Sequence, residues 1–193
     1  MHQGIPCRRD ELKQMLVGTI IVCTVVCAVL LLMGQPAWCK CGRPVPWSWD
    51  IWTSHNSQHF VDPYTLTHVL HGIAFCGLIV LLPQRVSWLV RYMIALTIEA
   101  GWEVLENTPF IINRYREATI SLDYLGDSTA NSCVDILACG AGFLLARQIG
   151  FRWSTGLFVA TELFLLLTIR DSLLLNILML IYPLDSVREW QMP

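Results

Sequence analysis

Glu99, Glu103 and Glu106 lie at offsets of four and seven within an apolar stretch, which puts them on one face of a helix. Asp127, Asn131 and Asp135 repeat the arrangement at offsets of four and eight, and His68 and His71 stand three apart in a third apolar stretch. An ionisable group among apolar residues is costly, and a set of them on neighbouring helices marks a functional site. Two chemistries suit this set. Carboxylates with imidazoles hold a divalent metal: oxygen ligands suit magnesium or manganese, and added imidazole admits zinc. Crowded carboxylates also raise one another's pKa, and histidine titrates near neutrality, which suits acid–base work or proton relay. Glu103, Glu106, Asp127, Asp135 and His71 are the candidate catalytic residues; His68, His71, Glu103 and Asp135 are the candidate metal ligands. The competing reading of each residue alone is a polar contact that holds helices together.

Two further groups flank this set. Arg114 and Arg116, in Asn113-Arg-Tyr-Arg-Glu117, are expected to hold an anionic head group. Asn131 and Arg170 join them as candidate substrate contacts, and Arg170 also stands near Glu162 and can neutralise it. Cys39, Cys41, His55 and His59 offer four zinc ligands, but Cys-x-Cys is tighter than the usual spacing, so a disulfide involving Cys39 or Cys41 is favoured in an oxidising compartment. Alternatively, His59 and Asp62 close the helical site from above. Cys23, Cys27, Cys76, Cys133 and Cys139 fall in apolar runs, where a thiol acts as a small hydrophobe.

The elements that carry these residues are membrane helices by composition. The chain has 193 residues, of which 54% are hydrophobic and 15% charged, and its mean hydropathy is +0.51; a soluble domain carries about 25% charged residues. A helix needs about 20 apolar residues to cross a bilayer. Five such segments are expected, at about 12–33, 65–82, 88–106, 128–146 and 154–170, with polar loops at 34–64 and 107–127. The run Met15 to Met33 exceeds the roughly 7–15 residues of a signal-peptide core and is read as a retained helix. Residues 172–183 are too short for another crossing and are expected to form an interfacial or re-entrant helix. The fold class is therefore all-α, a single polytopic helical bundle.

Arg8, Arg9, Lys13, Arg85, Arg91, Arg147 and Arg152 crowd three short segments, whereas Lys40, Arg43, Arg114, Arg116, Arg170 and Arg188 are spread over three longer ones. That bias places the N-terminus in the cytoplasm and the C-terminus outside. On this orientation Glu103, Glu106, Asp127, Asp135 and both histidines share one layer in the outer half of the bilayer. A net charge of −2 without a basic tract argues against nucleic acid as a partner. No Gly-rich phosphate loop, Gly-x-Ser-x-Gly elbow or His-Glu-x-x-His pair occurs.

The strings Asn56-Ser-Gln-His59, Asp62 to Gly72, Trp102-Glu-Val-Leu-Glu-Asn107, Asn113-Arg-Tyr-Arg116, Asp123-Tyr-Leu-Gly-Asp-Ser128 and Tyr182-Pro-Leu-Asp185 resemble an uncharacterised family of multi-pass inner-membrane proteins from proteobacteria. The resemblance implies an inner-membrane location and brings no activity with it. The layout of acidic residues on successive spans is also similar, by analogy only, to VanZ-like membrane proteins. The leading expectation is an enzyme of the outer leaflet acting on a lipid or phosphorylated lipid carrier, with a divalent metal as the possible cofactor. A small transporter with Glu99, Glu162 and Asp135 along its path is the second. An assembly or scaffold protein, whose buried charges lock the fold, is the third.

Overall fold

The computed structural model describes residues 9–119 and 123–192; Arg8 and positions 120–122 of the second polar segment lie outside them. Eight helices follow one another among the described residues: α1 (Arg9–Leu32), α2 (Thr65–Ile79), α3 (Trp88–Glu106), α4 (Pro109–Ala118), α5 (Thr129–Ile149), α6 (Phe151–Ile169), α7 (Leu173–Ile181) and α8 (Asp185–Gln191). Three of them, α1, α5 and α6, are long and apolar enough to cross a membrane, and α2 is a shorter apolar helix. The polar face of α3, with Arg91, Glu99, Glu103 and Glu106, is what separates it from those three.

Local chemistry sets the helix ends. Ser87, Thr108, Ser128 and Ser172 are N-caps whose side chains accept from the third following backbone N–H. At the other end of α2, the buried Arg91 guanidinium donates to the carbonyls of Ile79, Leu82 (2.8 Å), Pro83 (2.9 Å) and Val86 (3.1 Å). It thereby satisfies the carbonyls that a helix leaves open where it stops.

Helix α2 lies against α5 along its length, and α1 and α3 close the other side. Gly72 and Gly142 make this crossing possible: a Cβ on Gly72 would stand 2.0 Å from the carbonyl oxygen of Cys139, and one on Gly142 would stand 2.1 Å from that of Val69. The core is built from Leu30, Leu70, Leu96, Ile136 and Phe143. Outward faces are apolar as well: Leu16, Ile20, Ile21 and Val25 of α1 and Val159, Leu163 and Leu167 of α6 are exposed. Large apolar surfaces of this kind need a covering medium.

The stretch 107–127, expected to be a polar loop, holds helix α4. Thr108 caps it and Pro109 occupies its first turn, a start signal that outweighs the polar composition. Helix α4 packs against α7, with Arg114 donating to the carbonyls of Leu180 (2.8 Å) and Ile181 (3.3 Å).

After α6 the chain reverses at Arg170, in the left-handed region at φ 53°. The Glu162 carboxylate, one element back, accepts from the backbone N–H of Leu173 (2.9 Å) and Leu174 (3.2 Å), so it caps the first turn of α7. Beside it, burial pushes the Asp171 carboxyl up to about 6, against hydrogen bonds from Ser172 N, Tyr64 Oη and Asn176 Nδ2 that favour its ionised form. A carboxyl raised in the folded state from its ordinary 3.8 gives stability that is complete at low pH and is lost as pH rises through about 6. The shift corresponds to a loss on the order of 3 kcal/mol across that window. In mild detergent, Asp171→Asn is therefore expected to shrink the difference in melting temperature between pH ~5 and pH ~7.5. An unchanged difference would remove Asp171 as the titrating group.

Candidate functional site

Three helices bring acidic and imidazole side chains together beside a cavity of about 150 Å³, which His68, His71, Glu106, Asp127 and Asp135 line and Glu99 and Glu103 do not. Helix α3 brings Glu99 and Glu103, both 0% exposed, on the face set by their spacing of four. Helix α2 brings His68, which is buried, and His71 one turn on, and both line the cavity. Helix α5 brings Asp135, with Asp127 just before its N-cap.

Glu99 organises the imidazoles. His68 Nδ1 lies 2.5 Å from Glu99 Oε1, and His71 Nδ1 lies 3.0 Å from Oε2 and 3.1 Å from Oε1. A carboxylate accepts, so each Nδ1 carries the proton that is shared with it, and in the neutral ring Nε2 is the nitrogen left to accept or to ligate. The far nitrogen of His68 faces Asp135, with Nε2 to Oδ2 at 3.9 Å, too long for a hydrogen bond. Glu103 Oε1 stands 3.4 Å from His68 Nδ1, yet neither oxygen of Glu103 has a hydrogen-bond partner among the described residues, and neither does Asp135 Oδ1. Buried carboxylate oxygens in that state are costly. His68, Glu103 and Asp135 each offer a ligand atom within 4.8 Å of the other two, and His68, His71 and Glu99 form a second such group.

The outer part of the cavity is held by hydrogen bonds. Asp127 accepts from Tyr124 Oη (2.8 Å) and Asn107 Nδ2 (3.2 Å), and its N–H donates to Asn107 Oδ1 at 2.7 Å. Burial pushes the Asp127 carboxyl up to about 6, and those two donors moderate the rise. Glu106 faces the same space, 3.5 Å from Tyr124 Oη. Leu173, Ile177 and Leu180 of α7 supply an apolar wall opposite the carboxylates.

The other candidate residues stand apart. Arg116 donates to the carbonyl of Tyr124 at 2.6 Å, and Arg114 is engaged with α7 as described, so both guanidiniums serve backbone carbonyls near the cavity rim. Arg170 is exposed and donates to the carbonyls of Trp190 and Met192, away from the cavity. Glu162 caps α7 and does not line the cavity. Asn131 is buried one turn before Asp135, and its amide has no hydrogen-bond partner among the described residues. Cys39 and Cys41 are free thiols, not a disulfide.

Several cavity residues were not among the candidate site residues, although the strings that carry the family resemblance contain them. Tyr64, Trp102, Tyr115 and Tyr124 line the cavity, and aromatic residues beside apolar runs read as ordinary interfacial side chains. Ser57 lines it from the 34–64 segment with φ 56°, a region that non-glycine residues rarely adopt. Its N–H donates to Asp62 Oδ2 at 3.0 Å, and its carbonyl accepts from Ser128 N at 2.9 Å. The strained turn is thus tied both to the entrance of α2 and to the N-cap of α5.

The fold and site define an all-helical protein with three membrane-length apolar helices and a buried carboxylate–histidine cavity. The chain belongs to the family described as "Protein of unknown function (DUF2585)", which matches residues 30–193. It is 43% identical over 187 residues to a UPF0314 protein of Rhizobium meliloti (strain 1021), covering 95% of each chain. It is 47% identical over 176 residues to one of Sinorhizobium fredii (strain NBRC 101917 / NGR234), covering 89% of each. A UPF0314 protein of Paracoccus denitrificans (strain Pd 1222) is 42% identical over 174 residues, with 90% of each chain covered. No solved structure matches the chain.

Proposed function

We propose that this protein is a metal-dependent enzyme of the bacterial inner membrane that acts on the polar head of a phosphorylated lipid. In this reading α1, α2, α3, α5 and α6 cross the bilayer, the N-terminus is cytoplasmic and the C-terminus periplasmic. Helix α7 re-enters from the outer side. The density of basic residues in the short segments supports the orientation, and the apolar outer faces of α1 and α6 support the spans. Counting from Thr129 at about 1.5 Å per residue, Asp135 lies roughly 9 Å below the start of α5, within reach of a head group.

One observation carries the reading. His68 is fixed by Glu99 on one nitrogen, its other nitrogen faces Asp135, and the adjoining carboxylate of Glu103 is buried with neither oxygen hydrogen-bonded among the described residues. Carboxylate, histidine and open position in that order are how proteins orient a metal ligand. Three ligands of this type suit zinc or manganese. A bound divalent ion would supply Lewis acidity and a nucleophilic water. The remaining residues have roles that follow from their placement. Asp127, with its carboxyl held near 6, exchanges a proton close to neutral pH. Glu106 stands beside it as a second proton-transfer group. The apolar side of α7 accommodates the start of an acyl chain while the carboxylate side takes the head group. A phosphate tolerates that many carboxylates only with a cation between them, so metal and anionic substrate support each other. Arg114 and Arg116 keep N–H donors at the rim that bond nothing among the described residues and are free for the same anion.

The test is metal content. Protein purified in mild detergent is expected to carry one more equivalent of divalent metal than a Glu103→Gln, His71→Ala double variant. A deletion strain is expected to accumulate an uncleaved or unmodified anionic lipid, restored by the wild-type gene and not by that variant. A protein that takes up no metal at this site, with an unchanged lipid profile, would end the proposal.

A further inference from the structure

The segment between α1 and α2 gathers a second set of metal-binding atoms, remote from the acidic cavity in composition and built differently. Cys39 Sγ lies 3.3 Å from His55 Nδ1, and His55 Nδ1 lies 3.5 Å from His59 Nε2. Cys41 Sγ completes a group whose four ligand atoms all fall within 4.8 Å of one another. A tetrahedral zinc with its usual bond lengths to sulfur and nitrogen has ligand-to-ligand edges of roughly 3.3–3.8 Å. The two measured edges fall in or beside that range without any bond to hold them there.

The surroundings are those of ligands held for a metal. His59 Nδ1 lies 2.6 Å from the carbonyl oxygen of Val45, which only accepts, so Nδ1 donates there and Nε2, turned toward His55, is the nitrogen available to a metal in the neutral ring. Backbone N–H groups address both sulfurs: Cys41 N donates to Cys39 Sγ at 3.4 Å, and Arg43 N to Cys41 Sγ at 3.5 Å. Such donors stabilise thiolate charge. Cys39 and His59 are buried, 6% and 4% exposed, and Trp38 stands edge-on to the His59 ring at 5.5 Å. Cys41 remains open to solvent, which leaves an entry path.

We propose that Cys39, Cys41, His55 and His59 bind a structural zinc ion. The ion ties the Cys39–Gly42 turn to the His55–His59 turn. The second of these turns is the roof of the acidic cavity: Asn56 and Ser57 line the cavity, and Gln58 Nε2 donates to the carbonyl of Gly126 at 2.7 Å. Zinc here holds the strained Ser57 in place, and a chain segment with little regular structure gains the rigidity that its own short contacts do not provide.

The experiment uses the full-length protein in mild detergent, purified without added thiol or chelator. Zinc equimolar with protein is expected in the Glu103→Gln, His71→Ala variant, whose intramembrane site is disabled, and is expected to be lost in Cys39→Ser, Cys41→Ser. Replacement by cobalt is expected to give thiolate-to-cobalt charge-transfer bands and tetrahedral visible bands. Of the candidate metal groups among the described residues only the loop group includes cysteines, so these bands separate it from the carboxylate site and decide the question on wild-type protein even where the cysteine variant does not fold. Cys39 and Cys41 found joined in a disulfide in freshly isolated protein would overturn the proposal. Free thiols that give no cobalt–thiolate bands would overturn it equally.

Discussion

Gly142→Ala is expected to leave little folded protein, and Gly72→Ala to do the same. Each added methyl group points at backbone of the opposite helix: Cys139 O at 2.0 Å and Phe143 N at 2.6 Å for Gly72, Val69 O at 2.1 Å for Gly142. A flexible side chain can swing aside, but a helix backbone moves only as a rod. The helices must therefore separate along the whole crossing, exposing Leu70, Ile136 and Phe143 at the core. Overpacking of ordinary cores costs about 1–3 kcal/mol, and backbone-on-backbone contact places these two at or above the upper figure. Close approach through small residues is also the main source of cohesion between helices where lipid replaces water. The same separation carries His68 and His71 away from Asp135, so any surviving protein is expected to bind metal poorly. Gly77→Ala is the matched control: it sits on α2 as well, but a Cβ there meets nothing within 4 Å. It is expected to stabilise, since alanine is the better helix former by about 1 kcal/mol. The readout is the monodisperse fraction and melting midpoint in detergent. Equal midpoints for Gly142→Ala and wild type would mean that the crossing is looser than drawn.

The sequence disclosed most about the buried polar faces. Glu99 and Glu103 repeat at four, as do Asp127, Asn131 and Asp135, and such spacing leaves few alternatives for side chains that share a helix face. All five are buried, because apolar surroundings push polar groups inward toward one another. Contacts between distant segments were not legible. Nothing in the spacing of Glu162 announces that it caps α7, since the partners are backbone groups placed by the reversal at Arg170. Arg114 and Arg116 invite an anion by type, yet the nearest acceptors are carbonyls left open at the end of α7 and in the turn before α5. Helix α4 had a signal that composition hid: Thr108-Pro109 is a cap followed by a first-turn proline. The Cys39–His59 cluster shows the converse. Cys-x-Cys discouraged a zinc reading on spacing alone, and only the orientation of His55 and His59 by the fold revealed four converging ligands.

Glu103→Met is expected to raise the melting temperature of protein whose cavity holds no metal while abolishing metal binding in the cavity. Both oxygens of Glu103 are buried without a hydrogen-bond partner among the described residues. A carboxylate so placed subtracts from stability, whereas a methionine of similar length fills the space with no polar group to satisfy. Replacing a whole buried ion pair by apolar side chains of like volume is neutral or stabilising by about 1–4 kcal/mol, and a carboxyl without a hydrogen bond has less to lose than a paired one. Removal of the charge does not strand His68, because Glu99 still accepts from Nδ1 at 2.5 Å. Glu99→Met is expected to behave in the opposite way. It takes away the shared acceptor of both imidazoles and should destabilise by several kcal/mol, as breaking a buried pair does. The contrast separates a binding site from a folding lock. In a scaffold whose charges only hold helices together, both substitutions lower the melting temperature. In an enzyme site, the residue kept at a cost to stability is the one that the ligand completes. A stabilised Glu103→Met protein with no metal in the cavity would show that Glu103 is retained for what it binds; a destabilised one would move the chain to the scaffold class.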